Sequence, residues 1–383
     1  MGGQDRRAFL RTTGLAALPL LAGRTALWGA PAAPALIPRQ TEPVNLESPF
    51  AALNSFLTPN NLFYVRNHYA MPELDARAWR LKVSGAVERP LELTYAQLRE
   101  LPARTLPVTL ECAGNGRAFL EPKAKGVQWQ LGAVSTAEWT GVPLAAVLER
   151  AGLRPGAVDV VLEGADSGLP GGEPRPPGRV TFARGLPLAK ARQPEVLLAY
   201  KMNGADLPKA HGFPVRAIVG GWYGMASVKW LTRIVVTDRP FRGYDQTAGY
   251  TVWEKIDGLP TLTPIGAIAV KASIARPAAG EAVPAGKDCT VRGFAWAGEA
   301  EVAKVEVSAD GGKTWATAKL LGKAVPFCWR TWEYLWSTPA AGKHRLLARA
   351  TDTRGRAQPL TRDPGRRNYI VSHVVPVEVT VGG

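Results

Sequence analysis

The stretch Leu110–Arg117, which reads LECAGNGR, places one cysteine between an apolar, strand-like run and a glycine-rich turn. The thiolate of Cys112 is a soft ligand that suits a transition metal, and Gly114 and Gly116 let the backbone and a bulky cofactor come close together. A strand end followed by such a turn can present one reactive atom to a cleft. The alternative is a structural cysteine in the core, because free cysteine is among the most buried residue types.

The size and charge of the chain limit what it can be. Its 383 residues exceed an ordinary single core, so two domains are expected. A hydrophobic fraction of 46% and a charged fraction of 21% are those of a globular protein. The formal net charge is +15, yet the basic residues are scattered and form no run interleaved with aromatic residues. This distribution argues against a nucleic-acid partner and favours attraction of small anions.

The first 32 residues have the pattern of an export signal. The twin-arginine pair Arg6-Arg7 precedes a mildly apolar stretch at residues 14–22 and small residues at 30–32. The apolar stretch is too short to be a membrane span. We therefore expect residues 1–32 to be a removable twin-arginine signal and the protein to be periplasmic or otherwise exported, with no membrane-spanning segment. The alternative is a chance arginine pair on an N-terminal helix.

The chain has three cysteines, and their spacing predicts no metal cluster. No Cys-x-x-Cys-His sequence occurs, so no haem is expected in this chain. In an oxidising compartment Cys289 and Cys328 could form a disulfide, or both could fill the core. The sequence leaves that pairing open.

The pattern of predicted elements divides the chain into two parts. Up to residue 262, strand-like runs alternate with short helices at Thr94–Leu101 and Pro143–Ala151, which is typical of an α+β domain. From residue 263, seven short strands follow, one of them at residues 314–320, and the turn Ser308–Gly312 predicts a hairpin. We therefore predict a mixed α/β domain over residues 33–262 and an immunoglobulin-like β-sandwich over residues 263–383.

Three further polar segments could form one anion site. Phe63–His68 is an aromatic strand that ends in polar groups, and His211–Arg216 places an imidazole and a guanidinium beside an apolar strand. The third segment, Gly220–Trp230, supplies glycines, a hydroxyl and a lysine. Glycine N–H groups together with arginine, lysine and serine suit a phosphate group. Each segment alone could be a turn with a solvated cation, but together they predict a phosphorylated cofactor lying over the Cys112 thiolate.

These motifs resemble those of the sulfite oxidase family of molybdenum–pterin enzymes. The resemblance runs from about Asn60 to the C-terminus, with the motifs in the family's order. They are RNH at 66–68, CAGN at 112–115, WTGVPL at 139–144, EGAD at 163–166, HGFPVR at 211–216 and SVKWL at 227–231. The resemblance implies a molybdopterin-binding domain with the sulfite oxidase fold, followed by an immunoglobulin-like dimerisation domain.

The resemblance also implies roles for individual residues. Cys112 matches the thiolate that binds molybdenum, so a molybdenum–molybdopterin (Mo-MPT) cofactor is expected. The positions that match pterin- and phosphate-binding residues are Tyr64, Val65, Arg66, Asn67, His68, Asp166, His211, Arg216, Ser227, Val228 and Lys229. The positions that match the catalytic anion pocket are Arg66, Arg117, Trp129, Tyr250 and Arg367, with Tyr244 as a rival for Tyr250. A core tryptophan is an equal alternative for Trp129.

Two departures from the family pattern affect these expectations. Vertebrate and plant relatives have two arginines after the asparagine of the cysteine turn, whereas this chain has Gly116 and then Arg117. The charge of the expected pocket is therefore smaller. The b-type haem domain of animal members is not expected here, so electrons must pass to another molecule.

The implied reaction is molybdenum-dependent oxidation of sulfite to sulfate by oxo transfer, with Arg66 and Arg117 binding the anion. Electrons would pass to a c-type cytochrome or a haem subunit. A homodimer is implied by the dimerisation domain, although the aromatic run Trp329–Trp336 fits a sandwich core as well as an interface. Two alternatives stay open. One is the same cofactor acting on another S- or N-oxide or reduced sulfur substrate, and the other is a non-catalytic exported binding protein.

Overall fold

The computed structural model describes residues 34–337 and 339–382, so the predicted export signal lies outside the described residues. The strands of the first domain are β1 (Ile37–Gln40), β2 (Asn45–Glu47), β3 (Arg80–Gly85), β4 (Leu91–Thr94), β5 (Arg104–Glu111), β6 (Val134–Pro143), β7 (Asp159–Gly168), β8 (Val180–Pro187), β9 (Val196–Met202), β10 (Ala205–Asp206), β11 (Arg216–Val219), β12 (Leu231–Thr237), β13 (Thr251–Ile256) and β14 (Leu259–Pro264). Its α-helices are α1 (Tyr95–Arg99), α2 (Leu144–Ala151) and α3 (Leu188–Ala191). No helix in the described part of the chain has the length and apolar character that crossing a bilayer requires.

Two five-stranded sheets build the first domain. One has the order β10-β9-β6-β5, with β11 also paired to β9, and the other has the order β4-β3-β12-β7-β8. Nearly all neighbours in these sheets are antiparallel, while β12 and β3 run parallel. Helix α2 packs on β6 and β9 through Leu144, Val147 and Leu148, which are fully buried. The predicted mixed α/β domain is therefore confirmed.

Local sequence signals explain where the two predicted helices begin and end. The Thr94 side chain accepts a hydrogen bond from the Gln97 backbone N–H, and the Gln97 side chain accepts one from the Thr94 backbone N–H. This capping box satisfies two donors at the start of α1. Helix α2 ends at Ala151 because Gly152 follows with a φ of 70°, a conformation that glycine adopts without strain.

The second domain is a two-sheet β-sandwich. Its strands are β15 (Lys271–Arg276), β16 (Ala282–Pro284), β17 (Cys289–Trp296), β18 (Val302–Ser308), β19 (Ala316–Thr317), β20 (Lys319–Leu320), β21 (Arg330–Trp336), β22 (Gly342–Asp352) and β23 (Val377–Gly382). One sheet has the order β15-β17-β21-β20 and the other the order β16-β23-β22-β18-β19. Val291, Val305, Trp332 and Leu346 are fully buried between the sheets. The predicted immunoglobulin-like sandwich is confirmed, and Trp332 belongs to its core.

Two expectations for the second domain differ from the structure in detail. The strand predicted at residues 314–320 is reduced to β19 and β20. Asp310 accepts hydrogen bonds from the backbone N–H groups of Lys313 and Thr314, so the chain is still turning there. Cys289 and Cys328 are both free thiols. Cys289 pairs with Trp336 at one end of the β17–β21 ladder, whereas Cys328 precedes its other end, so the disulfide alternative fails.

The junction of the domains lies against the cysteine loop. Strand β14 runs across the boundary predicted at residues 262 and 263, and Ile268 still packs in the first core while Val270 packs in the second. Near the C-terminus the chain returns to the first domain, where the Ile370 backbone N–H donates to the Ala113 carbonyl oxygen at 2.8 Å. The second domain therefore contacts the cysteine loop directly.

Candidate active site

One cleft in the first domain brings together most of the predicted site residues. It encloses about 620 Å³ of space between protein atoms, including solvent at its mouth. The predicted residues that line it are Tyr64, Arg66, Asn67, His68, Cys112, Asp166, His211, Arg216, Ser227, Lys229 and Tyr250. The predicted residues that do not line it are Val65, Val228, Arg117, Trp129 and Arg367.

The cysteine loop is built so that Cys112 reaches this cleft. Strand β5 ends at Glu111, and the Cys112 backbone N–H donates to the Ala133 carbonyl oxygen at 2.9 Å. Gly116 has a φ of 95°, and a Cβ atom at Gly114 would lie 2.2 Å from the Arg117 guanidinium. The backbone at Gly116 therefore favours glycine, whereas a larger residue at Gly114 would require the Arg117 side chain to shift. The Cys112 side chain is 7% exposed and lines the cleft as a free thiol.

Two cations, the buried Arg216 and the partly buried Lys229, form the inner wall of the cleft. Arg216 is fixed by hydrogen bonds to the carbonyl oxygens of His211 (3.0 Å) and Ser227 (2.9 Å). Lys229 donates to the Ala210 carbonyl oxygen at 2.8 Å and to the Asn67 side chain. Among the described residues, neither cation forms a salt bridge with a carboxylate.

The positive charges of the inner wall repel one another. Burial and the charge of Arg216 hold the pKa of Lys229 well below its usual value, and burial lowers the pKa of Arg216 to about 10. Burial, Lys229 and Arg216 together lower the pKa of His211 to about 3, so this imidazole is neutral at pH 7. Desolvated cations that repel one another are stabilised by an anion between them. The wall therefore fits a phosphate group.

Asp166 supplies an unsatisfied acceptor at the edge of the same wall. Its Oδ1 atom is buried and has no hydrogen-bond partner among the described residues. Burial raises the pKa of Asp166 to about 6. Buried polar atoms are nearly always hydrogen-bonded, so this oxygen fits a donor group on a bound molecule.

Arg66, His68 and Tyr250 form the outer wall. The Tyr250 hydroxyl oxygen lies 2.5 Å from Nε2 of His68, whose ring stacks on Phe182 with 3.9 Å between ring centroids. Although burial lowers it, the pKa of Arg66 stays above its usual value because Tyr250 and Cys112 lie nearby. Arg66 and His68 also line a second, more open cleft beside Arg39. This open cleft is a path from solvent to the outer wall.

The structure separates the rival tyrosines. Tyr250 is 6% exposed and lines the cleft, whereas Tyr244 lies outside it with its hydroxyl close to Gly172. The π-helical turn Asp245–Gly249 between them explains why sequence spacing could not distinguish the two residues.

Three residues of the predicted anion pocket are engaged elsewhere. Arg117 donates to the carbonyl oxygens of Val127 (2.8 Å) and Asn368 (3.1 Å), and its guanidinium lies over the Tyr369 ring. Arg367 bonds to Thr251. Trp129 is fully buried, and its Nε1 atom is without a hydrogen-bond partner in the described part of the chain.

Sequence reasoning missed several residues of the cleft. Phe182, on β8, supports the His68 ring, but a lone phenylalanine in a strand carries no signal for that role. Asn45 accepts a hydrogen bond from the Asn67 backbone N–H at 2.8 Å and so positions the polar end of the Phe63–His68 segment. Gly224 and Met225 also line the cleft, and they lie within Gly220–Trp230, the segment whose glycines and cations predict a phosphate site.

Comparisons with known proteins identify relatives of this chain. Residues 68–245 match the family model described as an oxidoreductase molybdopterin binding domain, and residues 263–365 match that of the Mo-co oxidoreductase dimerisation domain. The sulfite oxidase of Gallus gallus is 38% identical over 86% of this chain and 74% of its own length. An Arabidopsis thaliana nitrate reductase is 35% identical over 76% of this chain but 34% of its own length.

A solved structure shows the same fold. The crystal structure of the sulfane dehydrogenase SoxCD from Paracoccus pantotrophus superposes with a TM-score of 0.79 at 27% identity, covering 94% of this chain and 92% of that one. The chain spans 63 to 74% of the length of the chicken and human sulfite oxidases that it matches.

Proposed function

Because the chain belongs to the sulfite oxidase family of molybdopterin oxidoreductases, we propose that it oxidises sulfite to sulfate and passes the electrons to an external acceptor. The chain is a molybdenum oxidoreductase with a Mo-MPT cofactor. The single observation that supports sulfite as substrate is the position of Arg66, a partly buried cation on the same cleft as Cys112.

The donors of the cleft fit the cofactor. Cys112, a free thiol that lines the cleft, would supply a thiolate ligand to the molybdenum of the cofactor. Among the described residues no three His, Cys, Asp or Glu side chains converge as a metal site. Lys229, Arg216 and His211 would hold the phosphate, and the free Oδ1 atom of Asp166 would accept from a pterin N–H group. When bound, the cofactor supplies two-electron oxygen-atom transfer.

The outer wall suits a small oxyanion. The Arg66 guanidinium would bind sulfite through charge-assisted hydrogen bonds and orient its sulfur toward the metal position beside Cys112. Burial holds the pKa of Tyr250 above its usual value, so its phenol stays protonated and donates to the neutral His68 ring or to the anion. These residues bind and orient the substrate, while the walls limit access of water.

The acceptor, the assembly and the location of the protein are further parts of the proposal. We infer a c-type cytochrome or a haem subunit as acceptor. The match to a dimerisation domain supports a homodimer. The twin-arginine segment supports export to the periplasm.

A second candidate keeps the cofactor and changes the substrate to another reduced sulfur compound. The observation in its favour is the likeness to a sulfane dehydrogenase together with the position of Arg117. Because the Arg117 guanidinium binds backbone carbonyls, Arg66 is, among the described residues, the one arginine of the expected anion pocket that lines the cleft. A single pocket arginine would then bind the substrate, which restricts the site to sulfite less than two would.

Steady-state turnover tests these alternatives. Protein with about one molybdenum per chain is assayed with sulfite and thiosulfate, using cytochrome c, ferricyanide and molecular oxygen as electron acceptors. It is assayed separately with dimethyl sulfoxide and nitrate, using reduced methyl viologen as the electron donor. We expect the largest kcat/KM for sulfite with cytochrome c or ferricyanide. Turnover of thiosulfate without sulfite would favour the second candidate, and turnover of nitrate or sulfoxide alone would reject both.

A further inference from the structure

The outer face of the cysteine loop, opposite the cleft, is held by a buried cluster that the reaction itself does not use. Glu111 precedes Cys112, and both it and Lys271 have side chains that are 2% exposed. Lys271 Nζ lies 3.1 Å from Glu111 Oε1, and Trp296 Nε1 donates to Glu111 Oε2 at 2.8 Å. Lys271 and Trp296 belong to β15 and β17 of the sandwich, so both partners come from the second domain.

The cluster continues into the loop itself. The Asn115 side-chain amide donates to Glu111 Oε1 at 3.0 Å, and Lys271 Nζ donates to the Asn115 carbonyl oxygen at 3.3 Å. The Asn115 side-chain oxygen accepts from the backbone N–H of Ala133 at 3.1 Å, next to the carbonyl that fixes the Cys112 N–H. The loop is thus bound on both sides of its cysteine.

The energetics favour a positioning role for this cluster. Desolvating two charges offsets most of the attraction between them, so a buried ion pair contributes little net stability compared with apolar residues of similar volume. The same pair fixes geometry strongly, because displacement of either partner leaves the other buried and unpaired. The side-chain N–H donors of Trp296 and Asn115 also restrict the Glu111 carboxylate to one orientation.

We propose that the sandwich domain positions the metal-binding thiolate, with Lys271 and Trp296 holding Glu111 so that the loop presents Cys112 to the cofactor at a fixed angle. The proposal rests on Cys112 as the metal ligand and is independent of which sulfur compound is oxidised. Residues that hold a metal ligand in place without touching the metal fix the orientation of that ligand and tune the properties of the metal. Lys271, Trp296 and Glu111 are positioning residues, since none of them lies on the cleft.

The holoenzyme variants Lys271→Met, Glu111→Gln and Trp296→Phe test this role. The readout is the thiolate-to-molybdenum charge-transfer absorption and the reduction potential, both per bound molybdenum, together with kinetics. We expect each variant to shift the absorption band and the potential and to lower kcat roughly tenfold or more, the range for such partners. KM for sulfite should change less than about twofold, because the anion is bound by the opposite wall.

Lys190→Met is the matched control. Lys190 is also buried at the domain junction, where it pairs with Glu195 (2.8 Å) and Glu299 (2.9 Å), but it does not contact the cysteine loop. This variant should lower the thermal midpoint while band, potential and kcat stay unchanged. If Lys271→Met and Glu111→Gln do not fold, the test depends on Trp296→Phe, which keeps an aromatic ring while it removes the Nε1–H donor.

Two results overturn the proposal. An unchanged band and potential in Lys271→Met, Glu111→Gln and Trp296→Phe would show that the cluster is only structural. A thiolate-to-molybdenum charge-transfer band that persists in Cys112→Ser would show that Cys112 is not the metal ligand. A failure of sulfite turnover with normal spectra in the wild type would contradict the proposed substrate and leave the positioning role intact.

Discussion

The hydroxyl oxygen of Tyr250 and the Nε2 atom of His68 lie 2.5 Å apart on the outer wall of the cleft. Burial and the charge of Arg66 hold the pKa of His68 well below its usual value, so the imidazole is neutral and accepts the hydrogen bond. Burial raises the pKa of Tyr250, so the phenol keeps its proton and donates it. The pair therefore holds one proton at a defined position beside Arg66.

Replacement of the hydroxyl should affect catalysis more than stability. We expect Tyr250→Phe to lower kcat/KM for sulfite roughly 10²-fold, in the range for a positioned proton donor. The ring and its contact with Tyr369 remain, so the thermal midpoint should change little. Steady-state kinetics and thermal denaturation measure the two effects. Tyr244→Phe is the control, since its hydroxyl lies outside the cleft, and equal losses in the two variants would contradict the assignment of Tyr250.

Arg66 should support substrate binding, whereas Arg117 should support the stability of the fold. Loss of one charge-assisted hydrogen bond to an anion costs about 1.5–3 kcal/mol, so Arg66→Gln should raise KM for sulfite roughly 10- to 100-fold. Arg117→Gln should instead lower the thermal midpoint, because the Arg117 guanidinium joins the cysteine loop to the carbonyl oxygens of Val127 and Asn368. A larger KM effect at Arg117 than at Arg66 would reverse this division of roles. Sulfite kinetics and differential scanning calorimetry on both variants decide it.

The parts of the site that could be predicted are encoded in contiguous segments. The cysteine turn depends on Gly116, whose left-handed φ of 95° is a local backbone requirement. The helix at Tyr95–Arg99 depends on Thr94 and Gln97, which cap it three residues apart. Such short-range signals are visible in the sequence because the interacting groups are fixed by spacing alone.

The parts that could not be predicted depend on pairing between distant segments. Arg117 matches an anion-binding position, yet its orientation is set by the carbonyl oxygen of Asn368, 251 positions away. Lys271 reaches Glu111 across 160 positions, and nothing in the sequence near Lys271 distinguishes it from a surface lysine. Long-range packing of this kind overrides local pattern, and spacing carries no information about it.

Acid should destabilise the cofactor-free protein through His211. The pKa of His211 is about 3 in the folded state and about 6.5 in an unfolded chain, so the unfolded chain binds more protons between these values. The free energy of unfolding therefore falls as pH is lowered through 6.5 and levels off near 3. At pH 5 this one group should remove about 2 kcal/mol.

Comparison with His211→Gln isolates this contribution. Burial raises the pKa of both Asp166 and Asp245 to about 6. Their effect on the pH dependence of the free energy of unfolding is opposite to that of His211, since the stability that they add at low pH is lost as pH rises through 6. Between pH 7.5 and pH 5.0, denaturant unfolding should show a change in the free energy of unfolding that is about 2 kcal/mol more favourable in the variant than in the wild type. Identical changes would show that His211 is not buried in its neutral form.

Removal of the inner cation at Lys229 should separate cofactor binding from folding. The Lys229 ammonium repels Arg216, so Lys229→Met relieves repulsion while it leaves the Ala210 carbonyl oxygen without its donor. These effects oppose one another, and we expect the free energy of unfolding of the cofactor-free protein to change by about 1 kcal/mol or less. The phosphate of the cofactor loses a charged donor, so the pterin and molybdenum content of the purified protein should fall roughly tenfold.

The control for Lys229→Met is Lys209→Met, which removes the same charge from the same part of the chain. Lys209 pairs with Glu73 at the surface and does not line the cleft, so its loss should leave stability within about 0.5 kcal/mol and cofactor content unchanged. Pterin is measured by its fluorescence after oxidative release, and molybdenum by elemental analysis. Full cofactor content in Lys229→Met would mean that the inner wall does not hold the phosphate. An equal loss of cofactor content in Lys229→Met and Lys209→Met would show that overall positive charge near the cleft, rather than the Lys229 ammonium itself, retains the cofactor.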